Sequence, residues 1–233
     1  MGAISFSLDE KLLAFLVRQL SPEVFVETGT FKGETLKMAR KYFKECHSVE
    51  MSPQLFAEAQ KTFEQEKGVH LFNGTSPDFF HEHKFTGKTV VYWLDAHWCG
   101  ADHTAGEESQ SPILEELELL APLGEKSVVL IDDARLYLSP PLAPHKVSQW
   151  PDFHSITAAL LRLSPRHRLL VFNDVIIFYP ESIRSALLEY AHDYGVDWLK
   201  VSYDAKKLEQ RELKKFPYIK YARHLWRKRH QTP

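Results

Sequence analysis

Cysteine is almost absent: Cys46 and Cys99 are the only two in 233 residues. That excludes a disulfide framework, and the lack of any paired CxxC excludes the common structural zinc folds. A reducing, cytoplasmic compartment is the expectation. No apolar run approaches the roughly 18 residues of a membrane span. The stretch Met1–Phe6 places no cationic segment ahead of an apolar one, so a secretory signal is not expected. Phe6 stands where myristoylation wants Ser or Thr. Repeats and low-complexity segments are missing too, and a composition 44% hydrophobic and 26% charged excludes intrinsic disorder, collagen and coiled coil for the chain as a whole.

Net charge is also small, −2, but it is unevenly spread. From Asp204 to Arg229 there are ten Lys/Arg against three Asp/Glu, a balance of +7 that leaves −9 on the rest. Within that basic stretch Phe216, Tyr218, Tyr221 and Trp226 alternate with cations. Such a segment suits nucleic acid or an anionic membrane surface, or packs its apolar side on the acidic body. The acidic whole argues against nucleic acid as the partner, and oligomeric state is not readable.

What is present is a rhythm of short β-branched runs, turns and amphipathic stretches. A first helix is expected over Leu8–Leu20, capped by Ser7, with Leu8, Leu12, Leu13, Leu16 and Leu20 on one face. Five strand–helix units follow, their strands at Val24–Val26, His47–Val49, Val69–Phe72, Thr89–Leu94 and Ser127–Ile131. His167–Phe172 and Val175–Phe178 are separated only by Asn173-Asp174, a tight antiparallel hairpin. The expected fold is α/β, a mostly parallel sheet with an antiparallel edge and helices on both faces. Three parts are expected: an N-terminal helix (1–20), an α/β domain (21–180) and a helical, basic C-terminal appendage (181–233).

Ligands of such sheets sit beyond the carboxyl ends of the strands. After the first strand comes Glu27-Thr28-Gly29-Thr30-Phe31-Lys32-Gly33, two glycines four apart in a strand-to-helix turn. Glu50 ends the second strand, 23 residues after Glu27, where an acid can grip the two hydroxyls of a ribose. The fourth and fifth strands end in Asp95-Ala96-His97-Trp98 and Asp132-Asp133-Ala134-Arg135. Three converging carboxylates would repel one another, and a divalent cation with all-oxygen ligation would relieve them. Alternatively, Asp132 or Asp133 caps the next turn and pairs with Arg135.

In this order and spacing, Glu27-x-Gly29-x-x-x-Gly33, Glu50, Asp95, Asp132-Asp133 and the terminal hairpin resemble a class I S-adenosylmethionine-dependent methyltransferase. The likeness is greatest to the metal-dependent O-methyltransferases of macrocin and catechol type. It implies a Rossmann-like, seven-stranded sheet and S-adenosylmethionine as cofactor, held by Glu27, Thr28, Gly29, Thr30, Phe31 and Gly33, by Glu50 and Met51 at ribose and adenine, by Gly74, Thr75 and Ser76 at the adenine edge, and by Asp95. It further implies Mg2+ or another divalent cation on Asp95, Asp132 and Asp133, and O-methylation of a small-molecule or sugar hydroxyl. The family's lysine base has no counterpart, since Trp98 occupies that place. His97 is then the nearest general base, beside Asp95, with Asp102 and His103 as alternatives.

Other readings use the same residues. A metal-dependent phosphate or ester hydrolase would take the three aspartates but leave Glu27 and Glu50 without a task. A non-catalytic nucleoside-binding domain would keep the pocket without turnover. Zinc on His97, Cys99 and His103 has only one cysteine to offer. The Cys99–Glu108 stretch reads as a loop over the site, and Trp93, Trp98, Tyr137, Trp150 and Pro140–Pro144 as the acceptor side.

Overall fold

The computed structural model describes residues 8–99, 106, 109–120 and 122–215. They fall into two compact units divided after Ala191. The first is an α/β domain whose strands are β1 (Val24–Thr28), β2 (Glu45–Glu50), β3 (Val69–Asn73), β4 (Val90–Leu94), β5 (Val128–Ile131), β6 (His167–Phe172) and β7 (Val175–Pro180). They form one seven-stranded sheet in the order β3-β2-β1-β4-β5-β7-β6. Pairings among β1 to β5 are parallel, while β7 runs antiparallel to both β5 and β6. This is the expected mostly parallel sheet with its hairpin edge.

Period-two alternation divides the core into two faces. Val91, Trp93, Val128 and Leu130 join Phe25 on one side, packed with the helices α1 (Glu10–Leu20), α2 (Glu34–Ala39) and α8 (Arg184–Tyr194). Val90, Tyr92, Leu94, Val129 and Ile131 face α4 (Ser76–Glu82), α5 (Ile113–Leu119) and α7 (Phe153–Leu163) on the other. Strands buried on both faces read as near-continuous apolar runs, as β4 and β5 do.

Helix α1 begins two residues later than expected. Asp9, not Ser7, is its N-cap: the carboxylate accepts from the amides of Lys11 and Leu12. Ser7 itself lies outside the described residues. The five expected leucines are all buried, and α1 belongs to the same core as the sheet. The hairpin turn holds Asn173 and Asp174 at φ 49° and 74°, a left-handed pair matched to the strand twist. Helix α3 (Pro53–Thr62) and the short α6 (Arg135–Leu138) complete the domain; the N-cap of α6 is Ala134, without a side-chain cap, so neither Asp132 nor Asp133 caps it.

In the second unit α9 (Trp198–Lys215) leaves Trp198, Leu199, Val201 and Tyr203 exposed. The helical C-terminal stretch is thus broken at Gly195–Asp197, while the cation-aromatic segment from Phe216 onward lies outside the described residues. No helix among the described residues is long and apolar enough to cross a membrane.

Candidate functional site

From β1 the chain winds to β2 and β3 on one side, and from β4 to β5 on the other. The sheet order therefore reverses between β1 and β4, and a cleft of about 1410 Å3 opens beyond their carboxyl ends. Single small-ligand pockets run to roughly 1,000 Å3, so this cleft has room for two ligands side by side. It is lined by Gly29–Lys32, Glu50, Met51 and Gly74–Asp78 at one end, and by Asp95–Trp98, Asp132, Asp133, Arg135 and the segment 139–145 at the other.

At the first end Glu50 fixes the loop. Its Oε2 accepts from the Phe31 amide at 2.8 Å and its Oε1 from the Ser52 amide at 2.8 Å. Each carboxylate oxygen can accept a second bond, so two acceptors remain beside the cleft. Gly29 has φ 85°, and a Cβ there would overlap the Asp95 carbonyl oxygen and lie 3.0 Å from its carbonyl carbon. The glycine is what lets β1 and β4 close up under the cleft. Ser76 Oγ, buried at the cleft margin, makes no hydrogen bond of good geometry.

Glu27, Thr28 and Gly33 do not line the cleft; they lie beneath it. Glu27 shares the strand face of Phe25 and stands opposite Trp93 in the ladder, so its side chain enters the sheet's packed side. There Ser48 donates to Glu27 Oε2 at 2.6 Å, and Thr30 Oγ1 meets Ser48 Oγ at 2.6 Å. Burial raises the Glu27 pKa to about 8, against the pull of the Ser48 bond and reinforced by Glu50. A folded-state value above the unfolded 4.5 means the native chain binds the extra proton, so stability falls as pH rises from 4.5 to about 8. Burial shifts Glu116 of α5 the same way, to about 7. Unliganded protein is expected to melt lower at pH 8.5 than at pH 6, and Glu27→Gln to flatten that slope by about half or more. A Gln variant with the wild-type slope would remove Glu27 from the account.

The acidic end is assembled as expected, though differently wired. His97 Nε2 lies 2.9 Å from Asp133 Oδ2, and Nδ1 lies 3.4 Å from Asp95 Oδ1. Arg135 Nη1 donates to Asp133 Oδ1 at 2.5 Å and also to Asp174, in the turn between β6 and β7. Asp133, at φ 55°, gives its amide to Asp132 Oδ1 at 2.8 Å. Burial alone would raise Asp133, but His97 and Arg135 outweigh it and hold its pKa near 2. Asp132 is pushed up to about 6 by burial and by Asp133. Asp95 is raised well above the carboxylate range by burial and by both other aspartates.

This arrangement bears on two expectations about wiring. His97 bridges two acids, with each ring nitrogen against a carboxylate. Asp133 has one oxygen on His97 and the other on Arg135, and no group of three or more His, Cys, Asp or Glu among the described residues is arranged to hold a metal. The donor set Asp95, Asp132, Asp133 therefore does not fit a three-carboxylate magnesium centre; Asp133 is held instead by His97 and by the Arg135 guanidinium. His103 and Asp102 lie outside the described residues, as does most of the loop after Cys99.

Beyond the acids stands an aromatic and proline wall. Trp98 and His145 meet edge to face at 5.6 Å, and Trp150 backs His145 at 5.0 Å. Trp98 and Pro140–Pro144 line the cleft as expected, Tyr137 and Trp150 are buried behind it, and Trp93 is a core residue. The wall is tied by Gln110, fully buried: its Oε1 accepts from the Lys146 amide at 2.8 Å and Trp150 Nε1 at 3.0 Å, and its carbonyl from the Trp98 amide at 2.8 Å. Nothing in the sequence singles out this glutamine. Glu116 was legible in principle, as an acid on the inward stripe of Ile113, Leu117 and Leu120.

No protein-family model and no curated protein matches the chain. Solved structures do. A Staphylococcus aureus protein described as a candidate caffeoyl-CoA O-methyltransferase aligns at a TM-score of 0.54 and 13% identity, over 74% of this chain and 84% of that one. The O-methyltransferase TomG of Streptomyces achromogenes, solved with S-adenosylmethionine, aligns at 0.52 and 16% identity, over 73% and 78%. With its strand order, hairpin edge and cleft at the reversal, the chain has the Rossmann-like fold of class I S-adenosylmethionine-dependent methyltransferases.

Proposed function

We propose that the protein is an S-adenosylmethionine-dependent methyltransferase acting on a small molecule. The observation that carries this is one cleft with two differently equipped ends, a glycine turn with a two-acceptor carboxylate at one and an acidic, aromatic chamber at the other. The likeness to O-methyltransferases, one of them solved with the cofactor, supports the same reading.

The first end fits the cofactor. Glu50 would take the ribose hydroxyls on its two remaining acceptor positions, Met51 and the Gly74–Ser76 turn would border the adenine, and Gly29–Phe31 would face the methionine part. Bound there, the cofactor supplies a methyl group already activated by its sulfonium. What the chain contributes is positioning: the Glu50–Phe31 bond presets the loop, Gln110 holds the acceptor wall, and the packed aromatic residues keep water from the reacting atoms. O-methylation with a metal was the expectation from the sequence; because Asp133 is held by His97 and Arg135 and the three aspartates do not form a metal centre, no metal step is derived. The hydrolase reading needs that same metal centre and is weakened with it.

The test is thermal unfolding with S-adenosylmethionine, S-adenosylhomocysteine, NAD or no ligand, each with magnesium or EDTA. Ligand at 100 times its Kd adds about 2.7 kcal/mol, roughly 5–10 °C for a chain of this length. Both sulfur nucleosides are expected to raise the midpoint, equally in magnesium and EDTA, and NAD to leave it unchanged. A shift with metal alone would restore the hydrolase reading. Binding without turnover on any acceptor would favour a nucleoside-sensing domain.

A further inference from the structure

We propose, resting on the methyltransferase reading, that the acceptor is an amine, its nitrogen seated between the Asp95–Asp132 carboxylates and the Trp98–His145 wall.

Three independent features converge on this. The first is charge. Among the described residues, Asp95, Asp132, Asp133 and, behind them, Asp174 face only one guanidinium and one imidazole, Arg135 and His97. Both of those are spent on the aspartates. Asp132 accepts the Asp133 amide on Oδ1 and makes no other hydrogen bond among the described residues, so its second oxygen is available to a donor in the cleft. The second feature is the wall: indole and imidazole rings stand beside the carboxylates, and aromatic faces attract cations as carboxylates do.

The third is chemical. An amine that arrives as its ammonium first gives a proton to water; the nitrogen lone pair so freed then forms the new C–N bond and the C–S pair returns to sulfur. The positive charge passes from sulfur to nitrogen, and no proton leaves in that step. The product ammonium then sheds its proton to water. A hydroxyl acceptor must instead lose a proton as it reacts, to a base or with its oxygen bound to a metal. Here His97 has both nitrogens against carboxylates, and the aspartates do not form a metal centre. The site is therefore equipped to receive a cation at the acceptor position and poorly equipped to generate an alkoxide there.

The test uses the full chain loaded with S-adenosylhomocysteine and titrated with choline or with 3,3-dimethylbutan-1-ol, its neutral isostere. The cation is expected to bind at least tenfold tighter, and Asp132→Asn to bring that ratio towards one. Nucleoside affinity in the same titration shows whether the variant is folded. No preference for the cation, whether both bind equally or neither binds, overturns the proposal, as does a preference undiminished in Asp132→Asn. A second readout offers S-adenosylmethionine with 2-phenylethylamine or 2-phenylethanol. Methylation of the alcohol in preference to the amine overturns the amine assignment while leaving the methyltransferase reading intact. Failure of S-adenosylhomocysteine to bind is the failure of that underlying reading, seen before any probe is added, and removes the proposal with it.

Discussion

Replacing Glu50 with alanine is expected to weaken S-adenosylhomocysteine binding at least ~100-fold, about 2.7 kcal/mol. Two losses add. The amides of Phe31 and Ser52 lose the carboxylate that orders them, at 2.8 Å each, so the Gly29–Phe31 loop is no longer preset. The ribose loses two acceptors, and hydrogen bonds to a charged group contribute roughly 1.5–3 kcal/mol each. Glu50→Gln keeps one acceptor oxygen and should fall between, about tenfold down. Calorimetry with a 2′,3′-dideoxy analogue separates the two losses. That analogue should bind the alanine variant only as much worse than wild type as the disordered loop accounts for, with the remaining difference appearing only for the natural sugar. Wild-type affinity for the natural nucleoside in Glu50→Ala would place the ribose elsewhere.

The other large effect is expected at Gly29. An alanine there meets a left-handed backbone, costing about 1–2 kcal/mol, and overlaps the Asp95 carbonyl, which overpacks the β1–β4 junction by roughly 1–3 kcal/mol more. The sum should lower the midpoint by roughly 5–15 °C and displace the very strand end that carries Asp95. Gly87 provides the control. Its φ is 81° but nothing lies within 4 Å of a Cβ built on it, so Gly87→Ala pays the backbone cost alone. The two variants should therefore differ by the overlap, and only Gly29→Ala should also lose nucleoside binding. Equal melting of both would mean the strands can part at no cost.

The sheet was readable because its strands carry their burial in their composition. Tyr92, Trp93 and Leu94 admit no solvent face, and Asn173-Asp174 admits little but a left-handed turn. The convergence of Asp95, Asp132 and Asp133 followed from the strand ends alone. Their wiring did not, because Arg135 reaches Asp174 across the β5–β7 pairing, nearly forty residues along the chain, and Gln110 acts through segments with no periodicity. Glu27 was expected at the ligand, whereas its side chain lies beneath the cleft and does not line it. Its parity with Phe25 puts it on the packed face, and that period-two signal stood in the sequence beside the motif that overrode it.

The hairpin turn links the edge of the sheet to its chemistry. The Asp174 carboxylate accepts from the Arg135 amide at 2.8 Å and from its guanidinium, and its carbonyl accepts from the Ala134 amide at 2.8 Å. Surface hairpins ordinarily tolerate changes of length, and evolution uses their tips for insertions. This one has two residues and no slack. Lengthening it would unlatch Arg135, release Asp133 from its partner and alter the charge felt at the acceptor. A turn at the rim of the fold is thereby tied to the acidic end of the cleft.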